Sequence, residues 1–172
     1  MNNRSRYMAH AAIIAALYAV LTHMQNMILF GSASWVNQLR LSEALCVLAF
    51  FTPAAIPGLT VGCLLFNITF SAALPLDFLV GSLATYLAAQ GMWLSRNLRI
   101  FGLPLPGLLM PALTNAFLVG WELTAYIGGG FWINAISVGF SEVVVLLTLG
   151  TVLYLTMRRR GLDTLLFGTT GK

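Results

Sequence analysis

Four carboxylates and two amides lie in or beside apolar stretches of a chain that otherwise has few polar side chains. Only 8% of its 172 residues are charged. An ionisable group at the centre of a membrane helix costs about 3 kcal/mol, so a carboxylate there faces a partner, a cavity or a ligand. Carboxylates and amides gathered on one side of a bundle suit a polar, planar small molecule, including a cationic one. The residues concerned are Glu43, Asn67, Asp77, Asn115, Glu122 and Glu142.

Glu142 is the acid that is hardest to explain without a specific role. It follows Phe131, the first residue of the last apolar segment, by about 16 Å along an α-helix, which is near the middle of a bilayer. The alternative to a ligand contact is an interhelical ion pair or a protonated, hydrogen-bonded carboxyl. The same alternative applies to Glu43, because Arg40 lies three residues before it on the same helical face.

Amide and indole side chains extend this polar set. Asn115 and Glu122 are seven positions apart, so they share one stripe of a helix. Trp35, Trp121 and Trp132 fall near the predicted outer boundary, where an indole belongs to the interfacial aromatic belt or stacks on a ligand. The predicted substrate-binding residues are Arg40, Glu43, Asn67, Asp77, Asn115, Trp121, Glu122, Trp132 and Glu142.

These residues must be positioned by membrane helices. The chain is 59% apolar with a mean hydropathy of +0.86, and a span needs about 20 apolar residues. This composition excludes an ordinary cytosolic enzyme and a disordered binder, and it leaves no room for a soluble domain. The sequence predicts one all-α integral membrane domain over residues 1–172, a bundle of six transmembrane helices at 7–29, 41–51, 57–72, 77–94, 106–126 and 131–157.

The distribution of basic residues predicts the orientation of this bundle. Eight of the nine basic residues fall at the two ends of the chain or in the loop that carries Arg96 and Arg99. Cytoplasmic loops are enriched in Lys and Arg, so we expect both termini in the cytoplasm and an even number of spans. Arg40 is the exception.

The first helix carries a separate signal. Ala11, Ala15 and Ala19 recur at four-residue spacing, with Ala12 and Ala16 beside them. Small residues at this spacing let another helix approach closely in lipid. The stripe therefore predicts a docking face for a separate membrane subunit, or else packing within the bundle itself.

Several other chemistries are not indicated. Cys46 and Cys63 lie in apolar runs and are interpreted as reduced packing residues. We find no nucleophile–base set, no spacing of metal ligands and no nucleotide-hydrolysis motif. The basic clusters are short and are not interleaved with aromatic residues, so a nucleic-acid partner is not expected. No cofactor is expected in this chain.

Longer stretches resemble the QueT family. They are 38–45 (Gln-Leu-Arg-Leu-Ser-Glu-Ala-Leu), 50–58 (Phe-Phe-Thr-Pro-Ala-Ala-Ile-Pro-Gly), 77–85 (Asp-Phe-Leu-Val-Gly-Ser-Leu-Ala-Thr), 115–123 (Asn-Ala-Phe-Leu-Val-Gly-Trp-Glu-Leu) and 137–142 (Ser-Val-Gly-Phe-Ser-Glu). Gly62, Cys63, Leu64 and Asn67, and then Phe131 and Trp132, continue the likeness, which covers most of the chain.

The resemblance implies a substrate-binding (S) component of an energy-coupling factor (ECF) transporter in the bacterial plasma membrane. Such a chain would capture a queuosine precursor, either a 7-deazaguanine carrying a nitrile or aminomethyl group or the complete base queuine. It would dock through the alanine face on a transmembrane scaffold (T) subunit that carries two ABC ATPases, which use the ATP. Other interpretations are an S component for a different vitamin, a membrane enzyme acting on a small polar substrate, and a membrane scaffold that transports nothing.

A deazaguanine offers two adjacent donors, the ring N–H and the exocyclic amine, and one carbonyl acceptor. One carboxylate can accept both donors side by side, an amide can donate to the carbonyl, and a second carboxylate can hold an aminomethyl cation. Depth alone assigns Glu142 to the two donors, and the sequence leaves the roles of the other carboxylates open. Trp121 or Trp132 offers a stacking face.

Overall fold

The computed structural model of the chain describes residues 3–29, 40–70 and 74–168. Over these residues the fold is helical, and its only β pairing is a single bridge between Ile100 and Leu103. The first helix, α1, begins before the predicted residue 7, because Arg4 and Arg6 continue it beyond the apolar run. The α-helices are α1 Asn3–Ile28, α2 Ala55–Thr69, α3 Asp77–Leu94, α4 Leu105–Leu108, α5 Met110–Tyr126, α6 Phe131–Val145, α7 Thr151–Arg159 and α8 Leu162–Phe167.

Among the described residues, three helical stretches are long and apolar enough to cross a membrane. They are Asn3–Ile28, Leu105–Tyr126 and Phe131–Arg159. The predicted all-helical membrane fold is therefore confirmed, while the count of six spans and the cytoplasmic termini stay predictions. The predicted helix 77–94 has the same bounds as α3.

A 3₁₀ helix, Leu41–Phe50, replaces the predicted second α-helix. It rises about 2.0 Å per residue instead of 1.5 Å, so its ten residues extend over about 20 Å. Eight of the ten are buried, because this helix contacts α1, α2, α3, α6 and α7. It is the central element of the bundle and follows directly after Arg40.

Small residues bring α1 and α2 close together. A Cβ added at Gly58 would lie 2.8 Å from the carbonyl oxygen of Ala11, and one added at Gly62 would lie 2.7 Å from that of Ala15. Side chains at these two glycines would push the helices apart. The glycines of α2 therefore fit against the alanine stripe of α1.

The remaining differences from the predicted bounds lie at helix ends and interruptions. The predicted fifth helix, 106–126, is divided into α4 and α5 at Leu109. The predicted sixth helix is interrupted by a π-helical segment, Leu146–Gly150, and then continues to Arg159. The predicted end of the third helix, residue 72, lies outside the described residues, and α2 ends at Thr69.

Two apolar clusters hold the helices in place. The larger contains Tyr18, Val47, Leu59, Met92 and Leu146, and it forms around the 3₁₀ helix. The smaller joins α3, α5 and α6 through Ala84, Val119, Leu123 and Val138. Together they pack the helices that carry the buried charged residues against one another.

Candidate substrate-binding site

Arg40 and Asp77 form a buried ion pair between two helix starts. Arg40 precedes the 3₁₀ helix and Asp77 is the first residue of α3, and their side chains are 4% and 1% exposed. The Arg40 Nη2 atom lies 3.3 Å from Asp77 Oδ2 and 3.5 Å from Oδ1. Because the two residues are far apart in the sequence, the pair joins two separate parts of the bundle.

Asn67 and Cys63 extend this ion pair into α2. The Asn67 amide donates to the Asp77 backbone carbonyl at 2.8 Å. The Cys63 sulfur accepts from Arg40 Nη1 and from Asn67 Nδ2, each at 3.6 Å. A Cβ at Gly81 would lie 2.9 Å from both Asn67 Nδ2 and Asp77 Oδ1, so these groups use the space that a glycine leaves. Both cysteines are free and buried as predicted, but Cys63 also contacts the charged cluster.

Glu43 is held by side chains from two helices. The Tyr18 hydroxyl donates to Glu43 Oε1, and the Cys46 thiol donates to Glu43 Oε2 at 3.1 Å. Both carboxylate oxygens therefore have a partner inside the protein. All three residues are fully buried.

Sequence reasoning missed the α1 side of this network. Thr22 donates to Ser42 at 2.7 Å, and Gln25 accepts the backbone N–H of Leu41 at 2.7 Å. Tyr18, Thr22 and Gln25 are spaced by four and three residues, which places them on one face of a helix. This polar stripe in an apolar helix is the signal that would have found them.

Asn115 and Glu142 meet across the interface of α5 and α6. The Asn115 amide donates to Glu142 Oε1 at 3.0 Å. The other oxygen, Glu142 Oε2, is buried and has no hydrogen-bond partner among the described residues. Glu142 is 3% exposed, so this oxygen is separated from solvent as well.

Glu122 is the most unusual of the acids. Its side chain is fully buried, yet neither carboxylate oxygen has a hydrogen-bond partner among the described residues. The same is true of Asn67 Oδ1 and the Ser82 hydroxyl. Buried polar atoms are nearly always hydrogen-bonded in native proteins, so these atoms are candidates for contact with a ligand.

The four acids share one basic residue. The Arg40 guanidinium interacts electrostatically with Asp77 and Glu43, with Glu122 and with Glu142. The segments 30–39 and 71–73 contain no charged residue. Ionised acids would therefore leave the site with an excess of negative charge, which favours a cation or a donor-rich ligand.

Comparison with known proteins identifies the family. A family model described as QueT transporter matches residues 8–159. The chain belongs to the QueT transporter family. It is thus a membrane transport protein rather than an enzyme, and the resemblance stated from its motifs is confirmed. No curated protein and no solved structure matches the chain.

The matched region of this QueT protein contains all of the predicted binding residues, but the structure does not place the two tryptophans among the acids. Trp121 is 53% and Trp132 66% exposed on the surface of α5 and α6. Trp132 packs edge-on against Phe131 and borders a shallow hollow with Phe117. Trp35 lies outside the described residues. Exposure at these positions fits the interfacial belt, which is one of the two alternatives that the sequence left open.

The QueT alanine stripe is divided between two environments. Ala15 is buried against Gly62 of α2, whereas Ala11 and Ala19 are half-buried. Ala12 and Ala16 are exposed on the outer side of α1. Ala15 therefore packs within the bundle. The small residues of α1 that face outward are Ala12 and Ala16.

Proposed function

We propose that this QueT family member is the S component of an ECF transporter and captures a queuosine precursor in the cluster around Arg40. The observation that carries this proposal is the pair of buried glutamates, Glu122 and Glu142. Both have carboxylate oxygens without a hydrogen-bond partner among the described residues, and the Asn115 amide donates to the other Glu142 oxygen. A 7-deazaguanine supplies adjacent N–H donors for such oxygens. The family supports a transported ligand rather than a chemically altered one.

Charge balance favours a ligand that carries a protonated amine. Four acids interact electrostatically with one arginine, so an added positive charge is stabilised by charge-assisted hydrogen bonds. Among the substrates that the family implies, an aminomethyl deazaguanine and queuine carry such an amine, and the nitrile form does not.

The number of unpartnered oxygens supports an assignment opposite to the one that depth suggested. Glu122 has two such oxygens and Glu142 has one, since Asn115 donates to the other. Two adjacent donors on a base match a carboxylate with both oxygens open. Glu122 is therefore proposed to hold the base edge and Glu142 the amine.

Mass spectrometry of ligand that co-purifies with the chain tests the substrate class. We expect an unmodified deazaguanine, whereas recovery of a chemically altered product would favour a membrane enzyme and a different vitamin would favour another S component. Calorimetry then compares the aminomethyl and nitrile bases. Loss of one charge-assisted hydrogen bond predicts about 10- to 100-fold weaker binding of the nitrile form, and equal binding would contradict the proposed role of charge.

The outward side of α1 is the proposed docking face for the transmembrane scaffold subunit with its two ABC ATPases. Ala12 and Ala16 are exposed there. A groove of about 450 Å³ lies beside the N-terminal part of α1 and brings Thr60, Tyr86 and Gln90 to the surface. A partner helix can approach small residues closely and hydrogen-bond to such polar groups, which lipid tails cannot do.

Ala16→Leu and Ala15→Leu form a matched pair for testing this face. Ala16→Leu is expected to abolish uptake by the assembled transporter and to leave ligand binding by the purified chain within about twofold, because the site is not touched. Ala15→Leu is expected to lower the unfolding temperature as well, since Ala15 packs against Gly62. Normal uptake by Ala16→Leu would place the docking face elsewhere.

Six spans with both ends in the cytoplasm complete the proposal, in a bacterial plasma membrane. Cysteine substitutions at Arg99 and Gly129, both exposed, should react with impermeant reagents from opposite sides of the membrane, Arg99 from the cytoplasm. Labelling of both positions from the same side would contradict the six-span topology. The buried Cys46 and Cys63 provide a low background.

A further inference from the structure

The turn that follows α3 presents apolar side chains outside the bundle. Phe101 is 96% exposed, Leu94 70% and Leu98 60%. Leu94 ends α3, and the turn continues the apolar surface of that helix. Apolar side chains grouped in this way mark a surface that contacts another apolar phase or a partner.

Phe101 adopts a backbone conformation that disfavours it. Its φ is +53°, and the next residue, Gly102, has a φ of +78°. Ile100 and Leu103 exchange two backbone hydrogen bonds, at 2.9 and 3.1 Å, so residues 101 and 102 are the centre of a tight two-residue turn. Asn or Gly is the usual residue at the first of these positions, and a bulky side chain there is strained. This strained turn holds a phenylalanine at its tip, where the side chain is almost fully exposed.

Basic residues flank this tip. The Arg96 guanidinium lies 3.9 Å from the centre of the Trp93 ring and donates to the Trp93 carbonyl at 2.8 Å. Arg99 is exposed and has no ion-pair partner among the described residues. No acidic residue occurs between Asp77 and Glu122 in the sequence, so the positive charge of this loop is not offset locally.

We propose that the turn formed by residues 96–103 anchors the protein to the anionic surface of the bilayer. Phe101 and Leu98 insert among the lipid headgroups, and Arg99 pairs with lipid phosphates. The bilayer is favoured over a protein partner because the apolar residues continue the exposed apolar surface of α3 at Leu94. It also supplies the negative charge that the loop lacks. The proposal needs only the membrane location of the chain and is independent of its substrate.

A nitroxide attached at Phe101→Cys measures the depth of the turn in the full chain. The protein is placed in vesicles of phosphatidylethanolamine with phosphatidylglycerol, and collisions of the label with oxygen and with a water-soluble nickel complex are compared. We expect oxygen collisions to dominate. Replacing phosphatidylglycerol by phosphatidylcholine, or adding Arg99→Gln, should lower the oxygen-to-nickel ratio about fivefold, the effect of losing one basic contact with an anionic surface. Arg160→Gln, at the exposed arginine that directly follows α7, should leave the ratio unchanged.

A second variant separates anchoring from folding. Phe101→Asn relieves the strained turn, so its unfolding temperature in detergent should equal or exceed that of the unchanged protein. A label at Leu98→Cys should nevertheless move toward water when Phe101→Asn is added. The proposal is overturned if either label reports the same depth with and without phosphatidylglycerol, or if the turn leaves water only when partner subunits are added.

Discussion

The buried charges of this protein fall into two groups that differ in how well they are satisfied. In the first group, Arg40 pairs with Asp77, and both oxygens of Glu43 accept hydrogen bonds from side chains. In the second group, Glu122 has no hydrogen-bond partner among the described residues and Glu142 has a partner for only one oxygen. Both groups are equally buried.

Because burial is the same, the two groups differ in how their polar atoms are hydrogen-bonded and not in their exposure. A buried ion pair whose members satisfy one another joins helices and fixes their positions. A buried carboxylate without partners lowers stability, and under the proposed function a ligand supplies the missing donors. We therefore interpret the Arg40–Asp77–Glu43 group as a scaffold and the Glu122–Glu142 group as the ligand-contacting part of the site.

Removing the arginine should give the largest effect. Arg40→Met leaves Asp77 buried without its cation, and breaking a buried pair in this way costs about 3–5 kcal/mol. We expect a strongly lowered unfolding temperature in detergent or failure to accumulate in the membrane. Arg159→Met, at an exposed arginine, is the control. If Arg40→Met unfolds at the same temperature as the control, the scaffold interpretation is wrong.

Glu122→Gln should produce the opposite result for the second group. It removes a buried charge that has no partner, so stability should be unchanged or higher. Binding of an aminomethyl deazaguanine should weaken about 100-fold, since both donors of the base lose their charged acceptor. Calorimetry and thermal unfolding on the same preparation measure the two effects.

Glu142→Gln provides the internal comparison for this result. One open oxygen instead of two predicts a smaller loss of affinity, about 10-fold. If both glutamate variants bind within about threefold of the unchanged protein, the assignment of this region to the ligand fails.

Tyr18→Phe should affect stability more than binding. It removes the hydroxyl that donates to Glu43 and leaves Oε1 buried without this donor, at a cost of about 1–3 kcal/mol. We expect a lower unfolding temperature, with affinity changed less than twofold because Glu43 belongs to the scaffold group. A loss of affinity as large as that of Glu122→Gln would move Glu43 into the ligand-contacting group.

The smallest effects should come from the two exposed indoles. Trp121→Phe and Trp132→Phe retain an aromatic ring at surface positions that are more than half exposed. If both belong to the interfacial belt, affinity should change by less than about twofold in calorimetry. A stacking contact worth about 1–3 kcal/mol would instead appear as a loss of fivefold or more when either is changed to Ala.

Sequence reasoning identified the buried acids better than it identified their partners. Glu122 and Glu142 were identifiable because a carboxylate in an apolar segment is costly wherever its helix packs. The pairing of Arg40 with Asp77 was not identifiable, because it joins residues that are 37 positions apart. A local alternative, Glu43, lay three residues from Arg40 and was equally consistent with the sequence. Tyr18 was missed because a tyrosine in an apolar helix resembles ordinary packing.

The bounds and types of the helices were likewise predictable only in part. The bounds of α3 agree with those predicted, because Asp77 begins the helix and the polar Ser95 and Arg96 follow its end. The 3₁₀ geometry of Leu41–Phe50 was not predictable, since its ten residues are also compatible with an α-helix. Packing against five surrounding helices selects the 3₁₀ form, which is narrower than an α-helix and rises further per residue.

The sequence by itself determined that this chain is a helical membrane protein of the QueT family with acids inside its bundle. Apolar length and the cost of charge in lipid act on each segment independently of the others. Only the tertiary structure decided which acids have hydrogen-bond or ion-pair partners within the protein and which have carboxylate oxygens without one. It also buried Ala15 against Gly62 while leaving Ala16 outside. These outcomes depend on distances between helices, which no local pattern of residues specifies.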